Sequence, residues 1–330
     1  MTPEQFQSQY LRIHQAISSV IVGQTDLVDH VLCALLSRGH ILIEGVPGLG
    51  KTLMVRTLSR ALACDFKRIQ FTPDLMPSDV TGGNVFNQQQ ERFVFNPGPV
   101  FTQLLLADEL NRAPAKTQSA LLEAMQERRV TSDGVTRPLP NPFIVIATQN
   151  PVESHGTYPL PEAQLDRFLL KVTVDYPSLE SEVRFMENHL AGFDPNHLEA
   201  EALTPILEVA DLERMQQTVR HAAVHSSVVQ YTATLVAATR QHQAVYVGAS
   251  PRASLALLDT ARARALTLGR SFVVPDDVKY FAPAVLRHRL ILHADAELDG
   301  LTADDCVQQL LEQLPVPGSS VDDSLATSRK

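Results

Sequence analysis

The stretch GHILIEGVPGLGKTLMVRTLSRAL, residues 39–62, decides the fold. It opens on Ile41, Leu42 and Ile43, a short apolar run of the kind that forms a buried strand. It turns through Gly45, Val46, Pro47, Gly48, Leu49, Gly50, Lys51 and Thr52, which match G-x-x-x-x-G-K-[ST] in full. It closes on a helix-forming run that starts at Leu53. Strand, glycine loop and helix in that order form a phosphate cradle. The glycines let the backbone turn tightly and aim N–H groups at phosphate oxygens. The helix N-terminus adds a favourable dipole. Lys51 is placed to neutralise the β- and γ-phosphates of ATP, and Thr52 to coordinate Mg²⁺.

Outward from the loop, LLLADE (residues 104–109) is a buried strand that ends on two carboxylates, Asp108 and Glu109. An acidic pair after an apolar run is often a solvated strand end. Behind a phosphate loop it acquires a role, because two strand ends of a parallel sheet meet at one edge. Asp108 is expected in the Mg²⁺ shell, and Glu109 as the base that orients and deprotonates water. The strand FIVIA (residues 143–147) runs into Thr148, Gln149 and Asn150. An amide there could bond the γ-phosphate or the attacking water, or Asn150 could simply form an Asn-Pro turn.

Further apolar runs at Ile69 and Phe71 and at residues 169–174 complete five strands with helical segments between them. Continuous β-branched and leucine runs suit a parallel sheet covered on both faces, so the class is α/β. In residues 113–129, Pro114 fits a first turn, and Leu121, Leu122 and Met125 fall on one face as core. Two pieces interrupt the alternation. Residues 72–99 are rich in Gly, Asn, Gln and Pro and too long for an ordinary loop. Residues 129–142 carry Asp133-Gly134 between extended flanks, a hairpin signal.

After Tyr176-Pro177 strand-like runs stop and helices take over. The expected division is a nucleotide-binding core at 1–177, a helical domain at 178–314 and a disordered tail at 315–330. Ser250-Pro251 reads as an N-cap with Pro at the first helical position, and Gly269 closes that helix. Leu255, Leu258 and Ala265 are expected to share its buried face.

Composition narrows the class. The net charge is -9, which disfavours a duplex nucleic-acid binder. Cys33, Cys64 and Cys306 are far apart and odd in number, so reduced buried thiols are expected, and no metal-ligand spacing occurs. No apolar run approaches a membrane span, and the first twenty residues carry Glu4 and Arg12 with no secretory core. The expectation is a soluble cytoplasmic protein.

Three long strings carry a resemblance. GPVFTQLLLADELNRAPAKTQSALLEAMQERRVT, FIVIATQNPVESHGTYPLPEAQLDRF and VGASPRASLALL resemble signatures of the MoxR family of AAA+ ATPases. Ile21, Val22, Gly23 and Gln24 resemble the stretch that contacts adenine at the start of AAA+ modules. The resemblance runs to about residue 292. It implies a sheet in the order 5-1-4-3-2, a helix-2 insert within 72–99, a pre-sensor-1 hairpin at 129–142 and an all-helical lid. It also implies a ring hexamer with ATP at subunit interfaces and chaperone-like remodelling beside von Willebrand factor A domain proteins. Asn150 then falls at sensor 1, Arg167 at the arginine finger and Arg252 at sensor 2, in cis or in trans. Such a finger contributes about 10³–10⁵ in rate. Arg112 sits beside the acidic pair and is a candidate to act across an interface. His155 stands where relatives often carry an acidic residue. A competing reading is a nucleic-acid motor, kept open by Arg128, Arg129 and Arg137 in the hairpin.

Overall fold

The protein is described by a computed structural model covering residues 1–46, 48–151, 157–192 and 205–317. Pro47, His155 and most of the expected tail lie outside the described residues. By its contacts the chain divides into two compact units, Met1–Thr218 and Val219–Lys330. That division falls well after residue 178, with helix Leu179–Leu190 inside the first unit.

The first unit is built on five parallel strands: β1 (Ile41–Gly45), β2 (Phe66–Gln70), β3 (Leu104–Asp108), β4 (Ile144–Gln149) and β5 (Leu170–Val174). Across the sheet they run β2-β3-β4-β1-β5, the order 5-1-4-3-2 read from the other edge. The register brings their carboxyl ends to one level. Gln70 pairs with Asp108, Ile43 with Thr148 and Gly45 with Val174. Phe71, expected inside the second strand, lies just beyond it and is fully buried.

Helices cover the strands with the faces their spacing dictates. The capped helix Pro3–Ser18 buries Phe6, Tyr10, Ile13 and Ile17, a three-and-four spacing along one stripe. Helix Ala115–Glu127 buries Leu121, Leu122 and Met125 as expected, with Pro114 as its N-cap rather than inside its first turn. His40, just before β1, is buried and ties three elements together. Its Nδ1 accepts from the Val145 N–H at 3.0 Å, and its Nε2 lies 3.2 Å from the Met125 carbonyl. That pattern requires the neutral ring with its proton on Nε2. Burial pushes its pKa down to about 4.

Both interruptions are antiparallel hairpins. In the first, Pro77–Thr81 forms a short helix, and Gly82–Asn87 then pairs with Arg92–Pro97. In the second, Arg129–Ser132 pairs with Val135–Pro138 around Asp133-Gly134. The Asn84 amide donates to Asp133, and the Arg137 guanidinium lies 3.7 Å over the Phe95 ring, so the hairpins brace one another.

The described residues of the second unit are helical apart from short extended pairings that the all-helical expectation lacked: Val245–Val247 runs antiparallel to Ile291–Leu292, and Ala223 bridges Phe272. Helix Pro251–Thr267 starts as read, with the Ser250 hydroxyl accepting from the Arg252 N–H, and ends with Gly269 at φ +73°. Its buried face is the expected one only in part: Ala265 is buried, Leu258 is half-buried and Leu255 is not. Helices Ser226–Thr239 and Pro275–Leu286 both pack on it, and close approach selects small residues: Ala253, Ala256, Ala261 and Ala265, with Leu257. Leu255 is left 64% exposed. Asp277 is buried and held in a two-pronged pair by Arg270, at 2.6 and 2.9 Å. All three cysteines are buried and none is in a disulfide.

Candidate active site

The phosphate loop leaves β1 at Gly45, where the chain passes against β5. A Cβ on Gly45 would stand 2.7 Å from the Val174 carbonyl oxygen. Gly48 and Gly50 take positive φ of 87° and 74°, and a Cβ on either would meet nothing within 4 Å. The loop is thus shaped by glycine for conformation and open in front, as a cradle for a triphosphate requires. Lys51 opens helix Lys51–Ala61 and donates to the Gly45 carbonyl at 2.6 Å. Burial lowers its pKa, while Asp108 and Glu109 pull it back up. The two carboxylates thus lie within electrostatic range of the lysine. Thr52 and Leu53 follow in the first helical turn. Val46 stands in the loop proper.

The adenine-side stretch lies in the same unit. Ile21 is buried; Val22 and Gly23 form a turn ahead of helix Thr25–Leu36. Gln24 donates its amide to the Leu49 carbonyl at 3.0 Å, fastening this stretch to the phosphate loop.

The carboxylates are held by a chain of polar contacts. Asp108 Oδ1 accepts from the Thr148 hydroxyl at 2.6 Å. Its Oδ2 accepts from Arg68 Nη2 at 2.7 Å and Nε at 3.1 Å. Arg68 also donates to Gln70 Oε1, and Gln70 donates to Glu109 Oε2 at 2.7 Å. Arg112 donates to that same Glu109 oxygen at 2.9 Å. Glu109 has left-handed backbone at φ 55°, ψ 49°, a conformation that costs a non-glycine residue about 1–2 kcal/mol. Its N–H is held by the Thr148 hydroxyl at 2.9 Å. Glu109 is one of six non-glycine residues with positive φ among the described residues, and here the turn carries the carboxylate off the end of β3.

Asn150, just past β4, is buried beside Asn111. Arg112, a candidate for action across an interface, contacts Glu109 of its own chain. Arg167 lies elsewhere. It precedes β5 by three residues, and β5 enters the sheet with Leu170 opposite Ile41, the first residue of β1. Arg167 is therefore at the end of the sheet opposite Gly45, with roughly 13 Å of strand between. There it lines a polar depression of about 460 Å³ with Glu123, Gln126, Glu127, Arg129, Thr131 and Thr136. Arg252 is exposed on the first turn of its helix in the second unit.

Arg68, Gln70 and the Thr148 hydroxyl were not assigned roles from the sequence. The signal was faint. Arg68 and Gln70 alternate in a strand, so they share a face, and the strand order sets them beside Asp108. Among the described residues, no three His, Cys, Asp or Glu side chains gather to hold a metal unaided. Mg²⁺ does not require such a cage, since one carboxylate, a hydroxyl and substrate phosphates suffice. The oxygen donors Thr52 and Asp108 fit it. Among the described residues no helix is long and apolar enough to cross a membrane.

Comparison with known proteins agrees. Residues 40–170 match the family described as "ATPase family associated with various cellular activities (AAA)", and residues 237–310 match "AAA lid domain". The chain is 48% identical to "Uncharacterized protein YeaC" of Bacillus subtilis, covering 91% of this chain and 92% of that one. It is 46% identical to "Chaperone MoxR1" of Mycobacterium tuberculosis, covering 91% and 80%. It is 30% identical to "Protein MoxR" of Methylorubrum extorquens, covering 93% and 94%. A crystal structure of a Cytophaga hutchinsonii protein, 40% identical, superposes with a TM-score of 0.88 over 95% of this chain and 96% of that one.

Proposed function

Since this chain belongs to the MoxR family of AAA+ ATPases, we propose that it hydrolyses ATP as a ring of identical subunits, and that the ring remodels or matures a protein client. The observation that carries this is the split of the site. Loop and carboxylates stand at one end of the sheet, and Arg167 stands at the other.

Within one subunit the residues divide the work. Residues 45–52 cradle the triphosphate, with Lys51 exchanging its carbonyl contact for phosphate charge. Ile21, Val22, Gly23 and Gln24 hold the adenine side, Gln24 through its bond to the loop. Thr52 and Asp108 hold Mg²⁺, which when bound offsets charge developing on the phosphate oxygens. Glu109 accepts a proton from water as its oxygen attacks the γ-phosphorus. The bond from γ-phosphorus to the bridging oxygen breaks, and ADP departs with that electron pair. Asn150 orients the water. Arg167 of a neighbouring copy stabilises the transition state, and Arg252 acts on the γ-phosphate in cis or in trans.

The name of the mycobacterial relative supports a chaperone role. A von Willebrand factor A domain protein is the client class we favour, and a hexamer the ring size. The nucleic-acid reading loses ground in the hairpin. Arg129 pairs with Glu127, Arg137 stacks on Phe95, and Arg128 donates to the Arg38 carbonyl.

The test is Glu109→Gln. The variant is expected to bind ATP as wild type does while turnover falls about 10²–10⁴-fold. Wild-type turnover would remove Glu109 as the base. The same variant, loaded with ATP, serves as a trap for the client.

A further inference from the structure

Asp108 has both carboxylate oxygens engaged by its own chain. Oδ1 takes the Thr148 hydroxyl, and Oδ2 takes two N–H groups of Arg68. The Asp108 side chain is only 15% exposed, and the Arg68 side chain is 46% exposed. The carboxylate is thus fixed, while its guanidinium partner lies at the sheet rim on the edge strand β2. An oxygen bonded to a guanidinium is spent as a ligand for a cation, and two cations beside one carboxylate oxygen repel.

We propose that Arg68 is a built-in counterion for the Mg²⁺ ligand Asp108, a positioning residue that swings off Oδ2 when Mg²⁺ arrives with the nucleotide. The inference rests on reading the site as a Mg²⁺–ATP site. Arg68 keeps the carboxylate neutralised without metal, so the loop can accept a triphosphate beside Asp108 and Glu109 with less repulsion. Its departure also releases Gln70 Oε1, and Gln70 shares the hold on Glu109 Oε2 with Arg112. Exchange of cations at Asp108 is thereby linked to the hold on Glu109 through one shared side chain.

The experiment measures the dissociation constant of a fluorescent ATP analogue on the full chain, with excess Mg²⁺ and with EDTA, at fixed ionic strength. The quantity of interest is the ratio of the EDTA value to the Mg²⁺ value. In Arg68→Gln this ratio is expected to rise roughly two- to fivefold, the range for a partly exposed ion pair. Two causes act together: nucleotide without metal binds more weakly beside an uncompensated carboxylate, and Mg²⁺ no longer displaces a cation. In an Asp108→Asn background, Arg68→Gln is expected to leave the ratio unmoved. An unchanged ratio in the single variant overturns the proposal. So does equal weakening under both conditions, which would make Arg68 a direct phosphate ligand. So does an effect that survives in the Asp108→Asn background. If wild type binds no nucleotide, or binds it without regard to Mg²⁺, the underlying site reading fails instead. Arg68 is exposed on an edge strand, so the variants are expected to unfold at the wild-type temperature, which a thermal melt checks.

Discussion

Thr148 shows how much one hydroxyl can organise. It donates to Asp108 and accepts from the Glu109 N–H, so a single buried side chain fixes both the proposed Mg²⁺ ligand and the left-handed turn that carries the proposed base. Thr148→Val keeps the shape and removes both bonds. A hydrogen bond to a charged group contributes about 1.5–3 kcal/mol, so turnover should fall roughly 10- to 100-fold. ATP binding to the glycine loop should persist, and Thr148→Ser should restore most of the rate. Steady-state turnover beside nucleotide titration checks this; an unaffected rate in the valine variant would dismiss the role. At this scale the sequence was legible where chemistry forces residue identity. Lys51, Asp108 and Glu109 were read from motif spacing, and the fold brings them to one end of the sheet. It was opaque where geometry chooses the partner. Thr148, Arg68 and Gln70 owe their roles to strand register, which links residues some 40 positions apart.

Elements were legible wherever a periodic pattern had one face to bury. The five strands and helix Ala115–Glu127 followed from apolar runs, and Asp133-Gly134 announced its hairpin. Helix Pro251–Thr267 defeated the same logic, because neighbours on two sides favour alanine at the contacts and leave Leu255 outside. His40 illustrates what an element junction demands. Its ring must stay neutral to accept from Val145 and donate to Met125, joining β1, β4 and helix Ala115–Glu127. The folded pKa is about 4 against an ordinary 6.5. Between those values the unfolded chain binds more protons, so stability rises with pH there. The contribution is complete above about pH 6.5 and is lost as pH falls towards 4, amounting to about 3 kcal/mol. Chemical denaturation of wild type and His40→Gln across pH 4–7 should show the variant less stable at pH 7 and with a shallower slope. Parallel slopes would refute this.

For the whole molecule, the strand order and the lid came from resemblance rather than periodicity, since no local pattern states which strand lies beside which. The separation of Arg167 from Gly45 followed only once the register of β1 and β5 was known. It leads to a mixing prediction. Lys51→Ala and Arg167→Ala should each be nearly inactive alone. Mixed, they should regain activity, because an intact loop can face an intact arginine at about a quarter of contacts at equal ratio. Absence of recovery at every ratio would count against a shared site. The same separation gives each copy a direction: it offers a loop at one end and an arginine at the other. An open row of copies always strands one unmatched half at each tip, and bending it closed completes a further site without adding a chain. Such a circle has a sense of rotation, so a change at one loop has a defined next neighbour and a different previous one. In the proposed ring the two neighbours of any site are therefore never equivalent, and that asymmetry is already present in a single sheet.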